Sequence, residues 1–266
     1  MKKRLAAASL LFLILAAATT LVLSKYDYAF QDRDAIMAPS TAPHPAGTDE
    51  LGRDRMVRVA AALLIGMAGA TAAAAVTTAI AAIFGVVAAF SPASVASILL
   101  FVSDVFLSLP WLFLLMMARS LLPLTASPLE TAITTFLVLA ALGWPACSRA
   151  IFRGATHLRV ADWMVHGYAC GLRRRQLIRT HLVPHLSSLF IPQFLVCIPA
   201  FMVAEANLGA LGLGVGEPVP SWGSMLLELD NTAILARSHW VYLPIVLLVV
   251  VLMILELFTL EGETNA

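Results

Sequence analysis

Charge is what this 266-residue chain lacks most: Asp, Glu, Lys and Arg make up 12% of it, whereas hydrophobic residues make up 60%. An average soluble domain carries about twice that share of charge. With a mean hydropathy of +0.89, the chain is excluded from the ordinary soluble class and reads as an integral membrane protein. Lysine is nearly missing, with only Lys2, Lys3 and Lys25, none in a GxxxxGK[ST] setting. The chain is therefore not itself a P-loop ATPase. A net charge of +1 leaves no electrostatic footprint for nucleic acid. Cysteine is also scarce: Cys147, Cys170 and Cys197 are far apart with no CxxC spacing, so neither a disulfide framework nor a zinc site is expected.

Long apolar runs are what remains. Six fall near Leu5 to Leu23, Ala60 to Phe90, Val95 to Ala118, Ala132 to Ala150, Leu186 to Leu208 and Trp240 to Leu260. Each approaches the roughly 20 residues that a spanning helix needs. An all-α membrane protein of six transmembrane helices follows. The first run could be a signal peptide, but it is longer than a usual h-region and lacks a clear cleavage site, so an uncleaved helix is expected. The second is longer than one crossing requires, and its start is expected to be interfacial or tilted. We divide the chain into residues 1–57 (first helix and external segment), 58–260 (main transmembrane domain) and 261–266 (cytoplasmic tail).

Basic residues set the orientation. The stretch Arg149 to His185 holds seven arginines and one acid, Asp162, which marks it as cytoplasmic. The amino terminus is then also cytoplasmic, and Ser24 to Arg58 and Gly209 to Ser238 face outward. Within the cytoplasmic stretch, DWMVHGYACGLRRRQLIRTHLVPH sets Trp163, Met164, Tyr168, Leu172, Leu177 and Ile178 around Gly171. This pattern predicts two short amphipathic helices meeting at a glycine. Such an element suits the groove of a soluble partner, although an arginine loop on anionic lipid has the same composition.

Two blocks carry a resemblance: HPAGTDELGRD from His44 to Asp54, and AEANLGALGLGVGEPVPSWGSMLLE from Ala204 to Glu228. In order and content they resemble the oligopeptide, dipeptide and nickel branch of the ABC importer permeases. The resemblance implies a type I importer permease fold in a bacterial inner membrane. It also implies pairing with a second homologous permease, two P-loop ATPase subunits that use the ATP, and an external solute-binding protein. No cofactor is expected in this chain, and no bond chemistry. In the family the cytoplasmic loop docks on the ATPase, which carries that role to Asp162, Tyr168, Gly171, Arg173, Arg174 and Pro184. The family's Glu-Ala-Ala is here Val165, His166 and Gly167, its Tyr-Gly-Ala-Arg is a run of Ala60 to Leu64, and an arginine before Asp104 is here Phe101. These departures imply a divergent member.

The family's Pro-Ser-Trp-Gly corresponds to Pro220, Ser221, Trp222 and Gly223, and with Glu205 this implies an external gate. Glu205 either fixes the external loop by accepting backbone N–H bonds or lines the pathway; the first is favoured. Asp104 is expected to position a helix end. In the first block, His44, Gly47, Thr48, Asp49, Gly52, Arg53 and Asp54 form the external motif. Its acids and histidine could bind a divalent ion. We favour a turn in which Asp49 caps a helix starting at Glu50 or Leu51 while Arg53 and Asp54 pair with neighbouring subunits. His181 and His185 are expected to be helix-end histidines, and no metal site is assigned. Two other classes fit the composition: an ion-coupled secondary transporter using Glu205, and a non-transport membrane scaffold.

Overall fold

A computed structural model describes residues 2–120, 127–177, 183–230 and 239–263. Long helices dominate: α1 (Lys2–Leu23), α2 (Arg55–Phe90), α3 (Ala93–Ser108), α4 (Trp111–Ser120), α5 (Pro128–Arg159), α8 (Val183–Ala210) and α10 (Leu243–Glu263). Three short ones, α6 (Asp162–Ala169), α7 (Arg174–Leu177) and α9 (Trp222–Leu226), lie in the connections. The only extended pairing among the described residues is an isolated bridge between Thr48 and Asp54. Among the described residues, five helices are long and apolar enough to cross a membrane alone, and α3 with α4 makes a sixth span if the bent pair counts as one.

That pair bends the apolar run from Val95 to Ala118, because α3 and α4 meet at an angle of 86°. The cause is Pro110, which has no N–H for the helix ladder and drives the preceding residue out of the helical region. Leu109 accordingly sits at φ −84°, ψ 138°.

At 36 residues, α2 is about 54 Å long, well beyond the roughly 30 Å hydrocarbon thickness. Its extra length lies at the start, where Arg55, Val57, Arg58 and Val59 are buried under protein. Further along, Ala70, Ala73, Ala74, Thr77, Ala81 and Gly85 form a buried stripe of small residues at helical spacing. Without side-chain bulk the backbones of α2 and α5 approach closely, which is how membrane helices gain packing energy. Thr77 donates to the carbonyl of Ala140 on α5 at 3.0 Å, and Phe84 stacks on Trp144 with ring centres 4.3 Å apart. A capping box at Ser127 and Glu130, with Pro128 in the first turn, starts α5. Around this pair pack α8 and α10, while α1 lies at the edge with little of its surface buried.

The bundle has two ends. One carries Asp54, where α2 begins; the other carries Gly171, beyond the last residues of α2.

Candidate functional site

At the Asp54 end, the first sequence block closes on itself. Thr48 accepts from the amide of Ala38 at 2.8 Å and donates to the carbonyl of Ala35. One oxygen of Asp49 accepts from the amides of Leu51 and Arg53 at 2.9 and 2.8 Å, and the other meets the Arg53 guanidinium at 2.6 Å. Gly47 and Gly52 have φ of +70° and +74°, and a Cβ on either would strike the carbonyl oxygen of Ala38 or Asp32. Only glycine fits both demands.

The helix that follows begins at Arg55, and its cap is Asp54, which accepts from the amide of Val57 at 3.0 Å. This corrects the expected cap at Asp49 and start at Glu50 or Leu51. Asp49 instead closes the preceding turn, because its two oxygens are taken by Leu51 and Arg53. The second oxygen of Asp54 holds Nδ1 of His44 at 2.8 Å, and Tyr26 stacks on the His44 ring at 4.7 Å. Within the chain, Arg53 already meets Asp49 and Glu217, and Asp54 meets His44 and the amide of Val57. Among the described residues, no three His, Cys, Asp or Glu side chains converge as metal ligands would. His181 lies outside the described residues, and the ring of His185 stacks on Trp163.

The block is then bolted to the loop after α8. Arg53 reaches Glu217 at 2.5 Å, and Arg58 meets the same carboxylate at 3.0 and 3.2 Å. Arg55 binds Glu228 at 2.9 and 3.2 Å. All three arginines are at most 7% exposed. Burial works against the charge on Arg53, but the hydrogen bonds and negative charge of Asp49 and Glu217 outweigh it and push its pKa up. Burial also pushes the Glu228 carboxyl up, with Arg55 opposing it. Sequence reasoning missed Arg55, Arg58, Glu217 and Glu228 as partners. The available signal was the arginines Arg55 and Arg58 just after the first block and the opposite charges Glu217 and Glu228 in the second.

Beyond α8 the chain reverses at Gly212, φ +72°, where the amides of Gly212 and Leu213 bond the carbonyls of Gly209 and Leu208 at 2.9 and 2.8 Å. This is a Schellman closure, which needs a left-handed residue. Ser221 caps α9 through a capping box with Ser224. Where α9 crosses α8, a Cβ on Gly223 would lie 2.2 Å from the Cα of Gly209, so the two backbones touch. Trp222 is fully buried against Gly66 of α2, whose absent side chain leaves the indole its space. It is a packed wedge and not an interfacial anchor. Pro220 and Gly223 are buried beside it.

Glu205, on α8, is 1% exposed. The Ser221 hydroxyl and the amides of Trp222 and Gly223 lie near enough to act on its charge. Neither carboxylate oxygen reaches hydrogen-bond geometry with them. A buried carboxylate without a hydrogen bond is costly, and these three groups are the donors placed around it.

At the Gly171 end, α6 and α7 are the two short helices expected. Gly171 lies between them at φ +80° with open space where a Cβ would point, and the amide of Leu172 bonds the carbonyl of Gly167 at 3.1 Å. Met164 of α6 and Leu177 of α7, both fully buried, pack with Ala89, Ala155 and Leu186 from the ends of α2, α5 and α8. At the Glu-Ala-Ala positions, Val165 and His166 are exposed, while Gly167 faces Leu177 so closely that a Cβ would sit 2.2 Å from it. Asp162 opens α6, and its carbonyl accepts from Nδ1 of His166 at 2.7 Å when that nitrogen carries the proton. Arg173 is exposed, Arg174 opens α7, Tyr168 lies on α6, and Pro184 lies in the first turn of α8. Asp104 pairs with Arg149 at 2.6 Å and so ties α3 to α5. The Asp54 and Gly171 groups are thus brought together separately, at opposite ends.

Residues 81–259 match the family described as binding-protein-dependent transport system inner membrane component. The chain is similar to the oligopeptide transport system permease protein OppC of Mycobacterium tuberculosis, 30% identical over 97% of this chain and 87% of that one. It is similar to the dipeptide transport system permease protein DppC of Bacillus subtilis, 29% identical over 90% and 73%. With OppC of Haemophilus influenzae the identity is 28% over 81% and 68%.

Proposed function

Because the chain belongs to the binding-protein-dependent inner-membrane component family, we propose that it is a permease subunit of an ATP-driven importer of peptides or related small solutes. Its relatives' names supply the solute class. The pathway forms with a second, homologous permease, an external binding protein delivers the solute, and two P-loop ATPase subunits use ATP. The Asp54 end lies outside and the Gly171 end in the cytoplasm, with the amino terminus cytoplasmic. Arginine-rich surface at the Gly171 end suits both an ATPase groove and the adjacent anionic lipid.

One observation carries the mechanism: the coupling segment is held by α5 and α8, and α8 runs from it to the buried Glu205–Trp222 junction. ATP-driven closure of the ATPases moves α6 and α7 through Asp162, Tyr168, Arg173 and Arg174, about the turn at Gly171. Pro184 passes that shift into α8. At the far end α9 follows, and Glu205 exchanges an unpartnered state for one bonded to Ser221 and the amides of α9. Pro220, Ser221, Trp222 and Gly223 act as the gate, and the block from His44 to Asp54 anchors it through Glu217 and Glu228. Alternating access results because ATP favours one of two arrangements.

Purification of the tagged chain from its native membrane tests this. We expect a homologous permease and P-loop ATPases to come with it, and ATP to drive uptake in reconstituted vesicles. A lone chain whose uptake follows an ion gradient would overturn it.

A further inference from the structure

Sequence spacing gave no reason to connect Cys147 with Cys197, yet α5 and α8 bring their sulfurs to 3.1 Å. Both thiols lie well inside membrane-spanning helices and are 6% and 5% exposed. The third cysteine, Cys170, is exposed beside Gly171 at the far end of the bundle. The chain thus holds one paired, lipid-buried dithiol and one exposed thiol. The transport mechanism uses neither member of the pair.

We propose that Cys147 and Cys197 are an oxidisable dithiol, a modification site that becomes a disulfide across α5 and α8 when a lipid-soluble organic hydroperoxide reaches it. Lipid around the bundle keeps water-borne oxidants dilute, whereas an apolar hydroperoxide partitions into the same layer as the thiols. One sulfur attacks the outer peroxide oxygen. The O–O bond breaks, the thiol proton passes to the departing alkoxide, and an alcohol and a sulfenic acid result. The second sulfur then attacks the sulfenic sulfur; the S–O bond breaks, and the hydroxyl takes the second thiol proton and leaves as water. Two thiols are oxidised by two electrons in all, and one hydroperoxide is reduced to alcohol and water.

Proximity decides the product. A second thiol already in contact acts at an effective concentration of about 10⁵ M or more when well oriented, beyond any free thiol. Sulfenic acid at either position is therefore captured as the disulfide before further oxidation. Cys170 has no such neighbour on its own chain and serves as the contrast. The consequence for transport rests on the function proposed above: α5 and α8 flank the coupling segment, so a covalent tie between them stops the shift that α8 carries to the gate.

The experiment treats native membranes holding the full complex with cumene hydroperoxide, to the dose at which Met253 becomes sulfoxide. Met253 is 64% exposed on α10 and reports that the oxidant has reached the helices. Free thiols are then alkylated under denaturing conditions and the peptides are analysed with and without reduction. We expect a Cys147–Cys197 linked peptide that disappears on reduction, with uptake lost and then restored by the reductant. Cys147→Ser and Cys197→Ser chains should form no linked peptide and keep their uptake. Recovery of both cysteines unlinked, with Met253 oxidised, overturns the proposal. A linked peptide with undiminished uptake would leave the dithiol standing and overturn instead the claim that α5 and α8 shift during transport.

Discussion

The two ends of this bundle solve opposite problems. At the Asp54 end, three buried arginines, four acids and a histidine pair within the chain, and each arginine reaches a carboxylate 159 to 173 positions away. At the Gly171 end, two short helices rest on a small apolar cluster, with Val165, His166 and Arg173 facing outward. The contrast teaches where each end finds its partners. One end pairs its charges within itself and forms a solid cap. The other leaves polar and basic side chains such as His166 and Arg173 exposed.

The strongest way to break the comparison is at Trp222. Trp222→Ala removes a fully buried wedge between α2 and α8, and loss of a large core aromatic costs about 3–5 kcal/mol. Thermal unfolding in detergent should show a large drop and uptake should disappear; a variant that transports normally would deny Trp222 its place in the gate.

Nearly as large is the effect of Arg55→Glu, which sets a like charge against Glu228 in place of a buried pair. Removing one partner of such a pair typically costs about 3–5 kcal/mol. The double change Arg55→Glu with Glu228→Arg should recover most of the lost stability and uptake. If it recovers neither, the pair is incidental to the cap.

Much of the fold was legible. Long apolar runs announce spanning helices because lipid leaves a helix few alternatives, and Gly171 announced its turn. The break at Pro110 was equally visible as a residue, but the unbroken hydropathy around it suggested continuity. The motif from His44 to Asp54 was legible as a turn, although the cap was misplaced by several residues because Asp49 and Asp54 offer the same chemistry. Pairings such as Arg58 with Glu217, or Cys147 with Cys197, were not legible, since nothing local encodes which of two distant helices will meet.

At the Gly171 end smaller effects are expected. Gly171→Val places a β-branched residue at φ +80°, a left-handed strain of about 1–2 kcal/mol. Insertion and the Asp54 cap should stay intact while uptake falls and ATPase activity persists, measured side by side in vesicles. Normal uptake would remove Gly171 from the coupling role. Smallest is Gly167→Ala, where a methyl displaces only the flexible end of Leu177 and helix propensity returns up to about 1 kcal/mol. Its unfolding midpoint should stay near that of the parent, and a severe loss would mean that α6 and α7 are packed far more rigidly than the contrast requires.

The most direct test uses a residue that is already present. Cys170 is exposed on the segment proposed to couple to the ATPases, whereas Cys147 and Cys197 are buried. A water-soluble maleimide should label Cys170 rapidly in the isolated chain and much more slowly once the ATPase subunits are bound, with the buried pair unlabelled in both. Equal labelling rates with and without the ATPases would contradict the claim that this end is built for them.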